Sequence, residues 1–334
     1  MDLTGLKELL GSRKKIVITT HFKPDGDAIG SSLGMYNYLI QKGQDVTVVV
    51  PSDTPEFLHW MAGNNTVVDF EKVPETAQQL FNAAEIIFCL DFNRPDRIEG
   101  LTSFLEQSKA VKVLIDHHLE PHPFAEYMYS YSSASSTCEL VYKFICNMGD
   151  KKLITKAVAE CLYTGIMTDT GSFKFSTMLP ETHRIIADLV EAGAENSRIH
   201  ELVYDTSSED RMRLLGYCLT EKLKIFPEYN TALISLSKAE LNKYNHRTGD
   251  TEGIVNYPLA IHNIRLAAFF VERKDIIKIS FRSKNDFSVR DLSAKHFEGG
   301  GHRNASGGSA KLSLQQTIDK FIALLPQYKD GLTK

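Results

Sequence analysis

Four short apolar runs constrain the fold more than anything else in the chain: KIVITT from Lys15, DVTVVV from Asp45, EIIFCLD from Glu85 and VKVLID from Val111. Each is continuous rather than alternating, as expected for a strand buried on both faces. Helical patterns lie between them, at about 28 to 41, 74 to 82 and 96 to 108. This strand–helix alternation predicts an open, mostly parallel α/β sheet with helices on both faces. Sheets of that kind bind ligands beyond the carboxyl ends of their strands.

Histidines and aspartates stand at those ends. His21, Asp25 and Asp27, in HFKPDGDAIGSS, follow the first run. Asp91 closes EIIFCLD, and Asp116, His117 and His118 close VKVLIDHH. Asp169, in GIMTDTGSF, follows a helical stretch from about 151 to 167. Each cluster has an ordinary reading by itself. Asp-Gly-Asp makes a turn and caps a helix, Asp91 can cap the segment after it, and Asp169 suits a turn. All of these readings would have to hold together, at one edge of one sheet. A gathered set of carboxylates is costly without a compensating cation, and two divalent cations would neutralise four aspartates. Nitrogen plus carboxylate oxygen suits Mn²⁺, Fe²⁺, Co²⁺ or Zn²⁺ better than Ca²⁺. No cysteine lies in the clusters, which argues against a structural zinc site. Two adjacent cations activate water and stabilise attacking and leaving oxygens on phosphorus.

The second half has its own strand-like runs, TALISLS, LAAFFVER and IIKISFRS, around the glycine-rich FEGGGHRNASGGSAK, and a final helix is expected from about 314. The charged stretch 195–213 reads as a helical connector. The expected division is therefore a catalytic domain over 1–194, a helical linker over 195–213 and a smaller α/β domain over 214–334. The glycine run reads either as a flexible loop or as an anion site. In the second case Gly300 and Gly301 would let backbone N–H groups approach a phosphate, beside His302 and Arg303. Arg282 ends a strand-like run and can fork onto a phosphate. In SSASSTCEL, Ser136 and Thr137 open a helix, either as a plain cap or toward a phosphate.

Bulk properties set limits. The formal charge of −4 over 334 residues argues against a broad basic nucleic-acid surface, though not against a local basic pocket. The first residues, MDLTGLKELLGSRKK, have no apolar core of signal-peptide kind, and no run approaches the roughly 18 apolar residues of a membrane span. Five scattered cysteines in apolar surroundings read as buried thiols in a reducing compartment, so a cytoplasmic protein is expected.

HFKPDGDAIGSS, CLDFN, DHH and GIMTDTGSF resemble, in order and spacing, the four motifs of the DHH phosphoesterase superfamily. The second half, with FRSK and GGGHRNASGG, is similar to the DHHA1 domain that accompanies them, although RNASG stands where two alanines are usual. The resemblance covers nearly the whole chain and is strongest to the bacterial oligoribonuclease (nanoRNase) and pAp phosphatase group. It implies a hydrolase with two divalent metal ions, usually manganese. His21 and Asp25 would hold one ion, Asp27, His117 and Asp169 the other, and Asp91 both. Asp116 would orient its neighbours, and His118 would face substrate as a catalytic residue, either stabilising charge on the phosphoryl group or protonating the leaving oxygen. Ser136, Thr137, Arg282, Gly300, Gly301, His302 and Arg303 would contact substrate. The implied substrates are short RNA oligonucleotides and 3′-phosphoadenosine 5′-phosphate, with no long duplex and no membrane as partner, and a homodimer is compatible with the group. The alternative within the fold is a cyclic- or linear-dinucleotide phosphodiesterase; the alternative outside it is a nucleotide-binding protein without catalysis.

Overall fold

The computed structural model describes residues 4–175, 178–247 and 249–333. The chain divides into two compact units, Met1–Thr206 and Ser207–Lys334.

The first unit is built on a six-stranded parallel sheet: β1 (Lys15–Thr19), β2 (Asp45–Val50), β3 (Val68–Asp69), β4 (Ile86–Leu90), β5 (Val111–Asp116) and β6 (Tyr127–Ser130), in the order β3-β2-β1-β4-β5-β6. The expected strands are the inner four. Both faces are covered, which is why their sequences are continuously apolar. Ile16, Ile18, Phe88 and Ile115 point to one core. Val17, Ile87, Cys89 and Leu114 point to the other. The first core lies under α1 (Thr4–Leu9), α2 (Gly26–Gln41), α5 (Thr137–Asn147), α6 (Lys156–Asp169), α7 (Pro180–Glu191) and α8 (Asn196–Tyr204). The second lies under α3 (Pro74–Ala83) and α4 (Thr102–Gln107).

The contact between α2 and α6 positions the site. A Cβ on Gly30 would come within 2.6 Å of the Cys161 carbonyl, and one on Gly26 would overlap the Thr168 side chain. Glycine at both positions lets the two backbones close on each other. Asp27, in the first turn of α2, thereby comes beside Asp169, the last residue of α6.

The second unit contains a mixed six-stranded sheet, with β7 (Lys224–Phe226), β8 (Thr231–Leu236), β9 (Leu266–Glu272), β10 (Ile277–Ser283), β11 (Gly300–Gly301) and β12 (Ala305–Ala310) in the order β11-β12-β10-β9-β8-β7. Among the described residues of this sheet, β8 and β9 alone pair in parallel. One face packs under α11 (Val289–His296) and α12 (Leu314–Thr333), the other under α9 (Glu209–Tyr217) and α10 (Lys238–Lys243). The stretch expected to be a connector divides between units: α8 belongs to the first and α9 to the second. The glycine-rich run is paired strand rather than loop, with β12 held between β10 and β11.

Candidate metal centre

Eight side chains from four chain segments meet at the carboxyl end of the first sheet. Asp25 caps α2, its Oδ1 accepting the backbone N–H groups of Asp27 and Ala28 at 3.0 and 3.1 Å. His21 follows β1, and its ring is held by the Phe22 carbonyl at 3.0 Å. Its Nε2 lies 3.4 Å from Asp91 Oδ2 and 3.9 Å from Asp25 Oδ1. Asp91 follows β4 with φ of 65°, a left-handed conformation that strains a non-glycine residue. Its other oxygen, Oδ1, lies 3.7 Å from His117 Nε2 and 3.7 Å from His118 Nδ1. His117 Nε2 stands 3.8 Å from Asp27 Oδ2 and 3.6 Å from Asp169 Oδ2. The strand ends and two helix ends therefore form two ligand-like groups, His21–Asp25–Asp91 and Asp27–His117–Asp169, and each has its donor atoms within 4.8 Å of one another.

A third close group, Asp91–Asp116–His118, is of a different kind. His118 Nδ1–H donates to Asp116 Oδ1 at 2.7 Å, and its backbone N–H donates to Asp116 Oδ2 at 3.2 Å. Asp116 is fully buried, so this carboxylate fixes the imidazole's tautomer and direction and leaves Nε2 as the outward nitrogen.

Electrostatics separate the members. Burial raises the Asp27 carboxyl well above its ordinary range, and the charges of Asp91 and Asp169 add to the rise. Burial likewise lifts Asp169 to about 7, against the pull of His117. Burial would lower His21 and His117, but the surrounding carboxylates win and hold each at about 9. Burial would raise Asp91 too; a hydrogen bond from His21 and the charges of His118, His21 and His117 bring it below the usual range instead. The centre is thus an acid-rich pocket whose own imidazoles are drawn toward the charged state. Nitrogen and carboxylate donors in this ratio fit divalent first-row metals.

Ser136 and Thr137 lie against this centre with their polar atoms turned to protein. Ser136 Oγ accepts the Glu139 N–H at 3.1 Å and caps α5. Thr137 N–H donates to Asp27 Oδ2 at 2.6 Å, and its Oγ1–H donates to Asp91 Oδ1 at 2.8 Å. Cys138 N–H donates to Asp27 Oδ1 at 2.9 Å. The sequence offers a cap or a phosphate at this helix end; the structure places carboxylates of the same chain there. Nothing in the local sequence marks Asp27 as the partner, 110 residues away.

In the second unit, Arg282 pairs in register with Ala305, which sets it at the same end of the sheet as His302 and Arg303. Arg282 Nη1 donates to the Phe281 carbonyl at 2.9 Å. Arg303 donates to the Asp286 carbonyl at 2.8 Å and carboxylate at 3.2 Å. Gly301 has φ of 134°, whereas Gly300 has open space where a Cβ would sit.

Comparison with known proteins gives matches in both units. The DHH family N-terminal domain matches residues 15–166, and the DHHA1 domain matches residues 233–329. The bifunctional oligoribonuclease and PAP phosphatase NrnA of Thermus thermophilus is 28% identical over 309 residues, covering 92% of this chain and 88% of that one. The protein of the same name from Bacillus subtilis is 28% identical over 299 residues, covering 88% of each. The crystal structure of an exopolyphosphatase-related protein from Bacteroides fragilis superposes with a TM-score of 0.96 at 42% identity, covering 99% of this chain and 97% of that one.

Proposed function

This chain belongs to the DHH phosphoesterase family and carries a DHHA1 domain in its second unit, and from that premise we propose that it hydrolyses short RNA oligonucleotides and 3′-phosphoadenosine 5′-phosphate. The observation that carries the proposal is the pair of ligand groups, His21–Asp25–Asp91 and Asp27–His117–Asp169, at one sheet edge. Asp91 faces His21 with one oxygen and His117 with the other, so it is assigned to both groups. Two divalent cations, manganese in this reading, would supply charge neutralisation, polarisation of the phosphoryl oxygens and a lowered water pKa.

The chain's own residues account for the remaining tasks. His118, directed by Asp116, presents Nε2, and in its imidazolium form the Nε2 proton passes to the departing alkoxide oxygen while Nδ1–H stays on Asp116. Arg282, Gly300, Gly301, His302 and Arg303 are assigned to the substrate's remote phosphate or base, so the first unit is the catalytic domain and the second the substrate-binding domain. With few cations to track a strand, the preference is for short substrates. The five free cysteines support a cytoplasmic setting, and no helix among the described residues is long and apolar enough to cross a membrane.

The test is a Mn²⁺ assay of the purified chain on RNA of a few nucleotides, RNA of roughly 20 nucleotides, 3′-phosphoadenosine 5′-phosphate, a cyclic dinucleotide and polyphosphate. The short RNA and the bisphosphate nucleotide are expected to give the highest kcat/KM, and excess chelator is expected to stop all turnover. Full hydrolysis in chelator, or a preference for polyphosphate or long RNA, overturns the reading.

A further inference from the structure

Thr137 hydrogen-bonds both Asp27 and Asp91. Its backbone N–H is spent on Asp27 and its hydroxyl on Asp91, and all three residues are at most 2% exposed. Water therefore has little access to replace either bond. Carboxylate oxygens have several lone-pair directions. A donor that occupies one direction on each acid leaves the others pointing into the pocket, toward His21 and His117.

The element that carries Thr137 is itself braced. Ser136 caps α5, and the buried Glu139 carboxylate accepts from Ser135 N–H and Oγ–H at 3.2 and 2.6 Å, from Thr182 Oγ1–H at 2.8 Å and from Lys143 at 2.7 Å. That network ties the first turn of α5 to α7. The β-branched side chain of Thr137 then narrows the directions its hydroxyl can take. Close packing supports the neighbouring donor as well, since a Cβ on Gly165 would overlap Cys138 Sγ. Asp91, at the other end of the hydroxyl bond, is in a backbone conformation that persists only where its surroundings over-determine it.

We propose that Thr137 is a positioning residue for the metal centre: its hydroxyl aims Asp91 and its N–H aims Asp27, so that the carboxylate shared by the two ligand groups and one acid of the second group are set from a single rigid helix turn. The proposal rests on the phosphoesterase reading above, and it gives Thr137 a task other than gripping a substrate phosphate.

Thr137→Val keeps the branched shape and the backbone donor and removes only the hydroxyl; Thr137→Ser keeps the hydroxyl. Calorimetric titration with Mn²⁺ alone should show Thr137→Val weakened by about 10–100-fold, the usual cost of losing a partner that orients a metal ligand. Its kcat should fall by a similar factor with KM for short RNA unchanged, and Thr137→Ser should recover most of both losses. Should Thr137→Val fail to fold, Thr137→Ala takes its place in the same comparison. A valine or alanine variant that binds Mn²⁺ and turns over like wild type overturns the proposal alone, as does a serine variant no better than valine. A change confined to KM also overturns it, because that is the signature of a substrate contact. Wild-type protein that takes up no Mn²⁺ removes the phosphoesterase reading and the proposal with it.

Discussion

The first turn of α5 serves two buried acids that could hardly be more different. Glu139 is 1% exposed and has a donor for each of its directions: Ser135, Thr182 and the ammonium of Lys143. Burial would raise its carboxyl, but the bonds from Lys143, Ser135 and Thr182 hold it below the ordinary range. Asp27 is 1% exposed and accepts two backbone N–H groups from the same turn, yet its other neighbours include Asp91 and Asp169, and its carboxyl is driven well up. Burial is common to both. What differs is whether the surrounding groups complete the acid's charge, and that difference separates an acid satisfied by the fold from one left among other acids.

The largest expected effects come from removing each kind of charge. Glu139→Ala strips Ser135, Thr182 and Lys143 of their shared acceptor, leaves Lys143 to Glu181 at 2.8 Å and opens the α5–α7 link. Buried donors left without an acceptor cost about 1–3 kcal/mol, which for a unit of this size lowers Tm by roughly 2–12 °C. Asp169→Asn should do the reverse in chelator, melting at or above wild type because it relieves repulsion among acids, while its turnover falls to background. Saturating Mn²⁺, at about 100 times Kd, stabilises a folded protein by about 2.7 kcal/mol. Glu139→Ala should keep that gain and Asp169→Asn should lose most of it. Thermal melts with and without Mn²⁺ decide the matter. An Asp169→Asn protein that melts far below wild type in chelator would mean that both acids are structural.

The second unit offers a finer version of the same contrast, between adjacent glycines. A Cβ on Gly299 would overlap the Gly307 carbonyl, whereas one on Gly300 meets nothing within 4 Å. Gly299→Ala should therefore destabilise by about 1–3 kcal/mol through overpacking. Gly300→Ala should leave stability within about 0.5 kcal/mol of wild type and raise KM for short RNA, if the bare backbone there is kept for an anion. Equal KM values for Gly300→Ala and wild type would withdraw Gly300 from the substrate contacts.

Legibility in the sequence followed the range over which each cause acts. The inner strands of the first sheet were readable because burial on both faces writes itself into continuous apolar runs such as IIFCL. The two-residue β3 and the short β6, YMYS, are edge strands with partly exposed faces and carry no such run. The glycine strand ASGGSA pairs with β10 through backbone alone, so it has no side-chain pattern to read. The acids and imidazoles of the centre were legible because a sheet gathers whatever follows its strands. The direction of Thr137 was not, since its acceptors lie 110 and 46 residues away and reach it only after α2, β4 and α5 are packed.

The smallest effect belongs to an acid that is completed but not deeply buried. Glu240 closes a capping box on α10, with Ser237 Oγ accepting its N–H and its carboxylate accepting the Ser237 N–H, and it also receives Lys222 and Tyr217. Burial would raise its carboxyl; Lys222, the Ser237 backbone, Tyr217 and the Ser237 hydroxyl lower it to about 2. A depressed folded-state pKa means that the native state releases this proton more readily than the unfolded chain. Its stabilisation is therefore complete above the ordinary carboxylate range and is lost as pH falls toward about 2. Glu240→Gln should therefore lower stability at neutral pH and converge with wild type as pH falls toward about 2, which flattens the acid-unfolding curve of the second unit. Ser237→Ala, which removes the other half of the box, should cost about 1 kcal/mol, with only the part due to its hydroxyl bond to Glu240 fading at low pH. Monitoring urea midpoints from pH 7 down to the acid limb separates the two, because only the carboxylate titrates. A Glu240→Gln curve parallel to wild type throughout would show that the acid's partners are an exposed decoration, and the rule drawn from Glu139 would then hold for buried acids only.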